Sequence, residues 1–230
     1  LAVDADPDAN LASALGMPFE MQQALVPISQ QRKLIEERTG AKVRQFGQMF
    51  KINPVVGDIA EKYAIHYKDV ALLVLGASNT GGGGCACPEN VMLKALVNDL
   101  VLYKNEALVM DMEAGVEHLG RATAQGVDLL IIVVEPGRRS IDSAQRIVRM
   151  SREIGLKKLA FVANKIDGDS EDSFVRKALQ GYEIVGTIPF CRELRTADRE
   201  ERSVLDALTM DQAGVFEGIL DKLTIKVTKQ

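Results

Sequence analysis

The sequence predicts an α/β fold, a mainly parallel sheet with helices on both faces, and two observations predict it. Short, continuous apolar runs recur at residues 70–75, 107–110, 129–134, 159–163 and 184–188. Stretches of helical periodicity, such as residues 140–154 and 170–179, lie between most of them. Apolar strands that show no alternation must be covered on both faces, and intervening amphipathic helices supply the cover. A chain of 230 residues with 47% hydrophobic side chains is long enough to bury the core of one large domain. The expected organisation is therefore a single domain over residues 1–230, with a helical insertion at about 17–66.

Taken in order, Leu1-Ala2-Val3-Asp4 reads as a strand already under way, and the acidic run to Asn10 as a loop feeding a helix. A first residue that falls inside a buried strand leads us to expect further sequence upstream of Leu1. Residues 17–66 are helix-rich and broken at Pro27, Gly40, Pro54 and Gly57, which predicts an insertion between two sheet strands. Pro88 suits a first helical position, and Val91, Met92, Ala95, Leu96 and Leu100 follow at helical spacing. At the C-terminal end, Thr224, Ile225 and Val227 predict a loss of helical character. Gly81 to Gly84 is the one low-complexity stretch, and there are no internal repeats.

Bulk properties exclude several functions. A net charge of -4 with no basic stripe argues against a nucleic-acid partner. No apolar stretch is long enough to span a bilayer, so no membrane partner is expected. Three cysteines without disulfide spacing suit a reducing, cytoplasmic setting.

Two sets of residues carry chemistry. Cys85-Ala86-Cys87 lies between the glycine run and Pro88-Glu89-Asn90. Residues i and i+2 of an extended segment project to one side, and a following helix N-terminus favours thiolates. A tetrahedral ion wants four ligands and one pair supplies two. A two-fold dimer brings a second pair to the same point, so the pattern predicts a metal held between subunits. The second set lies at strand ends, where ligands bind in parallel α/β sheets. These are Asp4-Ala5-Asp6-Pro7, Asp111-Met112-Glu113-Ala114-Gly115, and Asn164-Lys165-Ile166-Asp167. An apolar strand ending in Asp and followed by Gly suits a magnesium-bound water and close approach to a γ-phosphate. A strand-end Asp is also a common helix cap; several at successive strand ends favour nucleotide binding. His118 reads as surface or core filling, and Cys191 as a small buried residue.

Together, Asp4-Ala5-Asp6-Pro7-Asp8, Cys85-Ala86-Cys87-Pro88-Glu89 and Asp111 to Leu119 resemble the nickel-insertion ATPases that mature carbon monoxide dehydrogenase, within the MinD/nitrogenase-reductase class of P-loop ATPases. Leu34 to Gly40 and Ile188-Pro189-Phe190 fit the same pattern. The resemblance implies a P-loop NTPase-like fold, ATP and Mg²⁺ as ligands, a homodimer, and carbon monoxide dehydrogenase as partner. By resemblance Asp6 is the switch I residue that positions the attacking water, and Asp4 supports the metal shell. Asp111 is the Walker B carboxylate on magnesium and Gly115 the switch II hinge. Asn164 contacts adenine with Pro189 packed nearby, and Cys85 and Cys87 hold zinc or nickel at the dimer interface. Asn164-Lys165-Ile166-Asp167 also matches the guanine-reading pattern of GTPases, so the base stays open to GTP.

The class carries a deviant Walker A loop, Lys-Gly-Gly-x-Gly-Lys-Thr, before its Asp-x-Asp motif, and this sequence contains none. The resemblance therefore leads us to expect that this sequence lacks the class's first strand and P-loop, roughly 30 residues of one βαβ unit. Gly81 to Gly84 cannot replace them, because no Lys-Ser or Lys-Thr follows. Two other functions compete. An iron-sulfur reductase of the nitrogenase type needs a cysteine in switch II, and residues 115–120 have none. A MinD/ParA-type positioning ATPase needs a basic membrane helix or a basic DNA-binding face, and neither explains Cys-x-Cys.

Overall fold

A computed structural model describes residues 1–43, 45, 47–76, 88–103, 107–113, 126–156, 158–200 and 202–228. The chain packs as two compact units, one built from residues 1–113 and the other from residues 126–228.

The first unit holds a four-stranded sheet in the order β2-β3-β1-β4. Its strands are β1 (Ala2–Asp4), β2 (Ile65–Tyr67), β3 (Val70–Val74) and β4 (Val109–Asp111). β1 runs parallel to both neighbours, with Asp4 level with Val74 on one side and Asp111 on the other. Val3, Leu72 and Leu73 are buried almost completely, as a covered parallel strand demands. One face carries Leu72 and Val74 against Ala12 and Met17, from the segment around α1 (Leu11–Ala14). α2 (Phe19–Ala24), a 3₁₀ turn at Ile28–Gln30, α3 (Arg32–Thr39) and α4 (Ile59–Tyr63) follow. α3 packs against α5 (Pro88–Tyr103), which begins at the expected Pro88. The described residues of 17–63 are thus helical or irregular, whereas Ile65 and His66 already belong to β2.

β2 pairs antiparallel with β3 across a two-residue loop, Lys68-Asp69, with Lys68 at φ +51°. Such a loop ordinarily uses glycine or asparagine at its positive-φ position. The lysine there explains why the hairpin is hard to see in the sequence. At the end of β3, Gly76 (φ +71°) brings the chain so near the 3₁₀ turn that an added Cβ would lie 2.5 Å from Ser29 Oγ.

The second unit holds a parallel sheet in the order β5-β6-β7, formed by Leu130–Val134, Leu159–Ile166 and Ile184–Pro189. α6 (Arg138–Ile154) and α7 (Asp169–Ala178) make the crossovers between these strands, and α8 (Arg192–Arg199) and α9 (Met210–Thr228) follow. α9 lays Ile219, Val215 and Leu223 on Ala160, Val162 and Val185.

Two expectations fail here. The C-terminal segment stays helical through Thr224, Ile225 and Val227, because tertiary contacts override β-branched propensity. Leu223 packs on the sheet, Lys222 Nζ donates to the Val185 carbonyl at 2.9 Å, and Lys226 pairs with Glu183 at 2.6 Å. Cys191 is half-exposed rather than buried. It stands at the start of α8, where its thiol donates to the Pro189 carbonyl and Gln212 Nε2 donates to its sulfur at 3.1 Å.

Candidate functional site

The parallel register of β1 and β4 sets Asp4 beside Asp111, at the carboxyl edge of the first unit's sheet. Partners at one register position on adjacent strands share a face, so the two carboxylates lie on the same side. Asp4 has no exposed surface. Its Oδ1 accepts the Asp6 N–H at 3.2 Å and its Oδ2 accepts the Leu11 N–H at 2.9 Å. The intervening loop folds on itself. Asp6 Oδ1 accepts the Asp8 N–H at 2.8 Å, and the Asp6 carbonyl accepts the Ala9 N–H. Ala9 takes φ +50°, a conformation that costs a non-glycine residue on the order of 1 kcal/mol. The Ala5 N–H donates to the Asp111 carbonyl at 2.9 Å, which ties the loop's start to β4.

Three carboxylates thus gather at one sheet edge. Burial pushes Asp4 above the usual carboxylate range despite its backbone donors, and the charges of Asp111 and Asp6 push the same way. Asp111 keeps exposed surface and is also raised, first by partial desolvation and then by the charge of Asp6. The donor set is hard oxygen, which suits Mg²⁺. Among the described residues no three acidic, histidine or cysteine side chains form a cage of their own. That is compatible with Mg²⁺, which in nucleotide sites uses one or two carboxylates together with phosphates and waters.

In the second unit, Asn164 and Pro189 stand at the carboxyl ends of adjacent strands, with Ile166 level with Pro189. The pairing of β6 with β7 is irregular between Ala163 and Ile166, and Lys165 adopts φ +56°. Asn164 is half-buried, and its Oδ1 accepts the Lys165 N–H at 3.0 Å. Lys165 Nζ reaches Glu135, at the end of β5, at 2.5 Å. Phe190, just past Pro189, lies under the Arg195 guanidinium at 5.7 Å. Asp167 is exposed, and its N–H donates to Glu171 Oε2 at 2.7 Å. β5 and β6 thus carry polar residues at their carboxyl ends, Glu135, Asn164 and Lys165, and β7 ends in Pro189, the edge of a parallel sheet where ligands bind.

Sequence reasoning named Asp4, Asp6, Asp111, Asn164 and Pro189, and the structure puts each at a strand end. It missed Glu135 as the partner of Lys165, and it missed Leu11, whose N–H closes the loop onto Asp4. Glu135 ends an apolar run just as the chosen aspartates do, so its position was the available signal. Cys85, Cys87, Gly115 and His118 lie outside the described residues.

A parallel sheet with acidic strand ends and helical crossovers defines a nucleotide-binding α/β protein. The chain belongs to the CobQ/CobB/MinD/ParA nucleotide-binding domain family, whose model matches residues 1–204 and so runs through both units. Within that family it is CooC-like. It is 38% identical over 232 residues to the carbon monoxide dehydrogenase accessory protein CooC of Rhodospirillum rubrum, covering 95% of this chain and 88% of that protein. It is also 38% identical over 196 residues to an uncharacterised ATP-binding protein of Methanocaldococcus jannaschii, covering 84% and 75% of the two chains. The fold resembles a putative plasmid partition protein of Borrelia burgdorferi bound to AMPPNP (TM-score 0.65, 15% identity, 98% of this chain and 86% of that one). It resembles the cell division protein MinD of Aquifex aeolicus as well (TM-score 0.60, 17% identity, 97% and 84%). These comparisons bear out the mainly parallel α/β, P-loop NTPase-like fold.

Proposed function

We propose that this protein is an ATPase maturation factor that supports nickel insertion into carbon monoxide dehydrogenase. In this reading it works as a homodimer with metal shared between Cys85 and Cys87 of each subunit. The observation that carries the catalytic half is the convergence of Asp4, Asp6 and Asp111 at one sheet edge. Two of the three carboxylates are held above their usual range, by burial first and by one another's charge second. A cation bound with nucleotide relieves that repulsion. Mg²⁺ on Asp111 would supply charge neutralisation for the phosphates. Asp6 orients the attacking water, and Asn164 contacts the base. Pro189 flanks that base and Gly115 is the switch II hinge. A single family model runs through the residues of both units.

Similarity to a protein named for carbon monoxide dehydrogenase supports that enzyme as the partner. The metal, zinc or nickel, is cargo rather than a resident cofactor, and thiolates accept either. A membrane-positioning role is disfavoured by α9 itself, since Lys222 and Lys226 are engaged by Val185 and Glu183. Among the described residues no helix is long and apolar enough to cross a membrane.

The test is activation of nickel-free carbon monoxide dehydrogenase by the protein with ATP and nickel, expressed with any coding sequence upstream of Leu1 retained. Activation that requires both ATP and the two cysteines supports the reading. Equal activation by Cys85→Ala/Cys87→Ala removes the cysteines from it, and hydrolysis without activation leaves only the ATPase.

A further inference from the structure

We infer that Asp4 is a positioning residue that sets the switch loop, rather than a member of the metal shell. This rests on the ATPase reading above and assigns Asp4 a different task within the same site. Its two carboxylate oxygens are divided between two backbone donors at opposite ends of the loop, the farther one seven residues from Asp4. Oδ1 takes Asp6 N–H and Oδ2 takes Leu11 N–H. Leu11 opens α1, and Asn10 before it offers no side-chain cap, so Asp4 does the capping from within β1. The loop from Ala5 to Asn10 is therefore closed at its base by one buried side chain.

That side chain is itself fixed. β1 lies between β3 and β4, the Asp4 carbonyl accepts the Leu75 N–H at 2.8 Å, and the residue has no exposed surface. A carboxylate held on a three-strand scaffold transmits that rigidity to whatever it binds. It binds the N–H of Asp6, the residue whose carboxylate must face the attacking water. Deleting the clasp lets Asp6 drift, and small misplacements of a catalytic group cost rate far more than affinity. A metal-shell residue behaves differently, because its loss raises the metal requirement.

The experiment compares the parent protein with Asp4→Asn and Asp4→Ala, with any coding sequence upstream of Leu1 retained. Amide hydrogen exchange, ATP affinity, kcat and the Mg²⁺ concentration for half-maximal rate are measured. In the parent, the Asp6 and Leu11 amides should exchange at least tenfold more slowly than an unprotected chain. In Asp4→Ala both should lose that protection, with kcat down on the order of a hundredfold. ATP affinity and the Mg²⁺ midpoint should stay within about threefold. Asp4→Asn keeps one good acceptor and should fall between the two. The inference is overturned if the parent's two amides are unprotected. It is also overturned if the Mg²⁺ midpoint rises tenfold while protection persists, or if kcat is unchanged in a folded variant. The parent's exchange stands as a test even where Asp4→Ala does not fold. A parent that protects both amides yet shows no ATP turnover sinks the ATPase reading and leaves the clasp as structure alone.

Discussion

At Asp111 the fold sets a negative charge where the surrounding protein and Asp6 resist it. Its folded pKa is raised above the ordinary 3.8, so the folded state holds the proton more tightly than the unfolded chain. This group's contribution to stability is therefore largest below about pH 4 and is lost as pH rises through the raised value. Asp111→Asn removes the penalty, so without nucleotide and magnesium the variant should melt above the parent at pH 7. The two should converge toward pH 4. A parent that melts higher at pH 7 would contradict the electrostatic picture. Asp6 tests the chemistry directly: Asp6→Asn should keep ATP binding and lose on the order of a hundredfold in turnover. Undiminished turnover would remove Asp6 from the mechanism. The identity of these aspartates was legible because each ends an apolar run. Asp4's use was not, because its bond to Leu11 depends on a loop path that returns across seven residues.

Among the elements, α3 and α4 are fastened by one ion pair. Arg38 Nη2 meets Asp58 at 2.7 Å while Nη1 donates to the Val55 carbonyl, and Lys62 joins Asp58 from the next turn of α4. These cations hold the Asp58 carboxyl well below the usual carboxylate range. Its contribution is thus present above about pH 4 and lost as pH falls toward its folded value. Asp58→Asn should lower the melting temperature at pH 7, by an amount that shrinks in acid and in high salt. A pH-independent difference would show that charge is not the cause. In the second unit, β7 and α9 meet at Gly186, where an added Cβ would lie 2.1 Å from Ile219 Cγ1. Gly186→Ala should cost about 1–3 kcal/mol by overpacking, measured by urea unfolding, and Gly186→Ala/Ile219→Val should recover part of it. A neutral Gly186→Ala would mean that α9 is not seated as described. Element types were read from the sequence wherever a run was long and apolar, as at β3, β5 and β6. The Lys68-Asp69 hairpin carried no turn residue, and the end of α9 is helical through packing that local propensity opposes.

For the whole molecule, the account joins a nucleotide site to a shared metal. In the proposed function, two thiolates leave a tetrahedral ion half-coordinated, and a second copy of Cys85 and Cys87 would complete it. ATP that favours the paired state would then tighten metal, and hydrolysis that opens the pair would release it. The coupling is reciprocal, so metal must favour the dimer as strongly as the dimer favours metal. The most direct measurement is sedimentation velocity with and without zinc or nickel, paired with metal analysis of the sedimenting species. It is run on the protein and on Cys85→Ala/Cys87→Ala. The account predicts that metal shifts the parent from monomer to dimer at one ion per two chains and leaves the double variant monomeric and metal-free. A double variant that still binds half an equivalent, or a parent whose monomer–dimer equilibrium ignores metal, would contradict it.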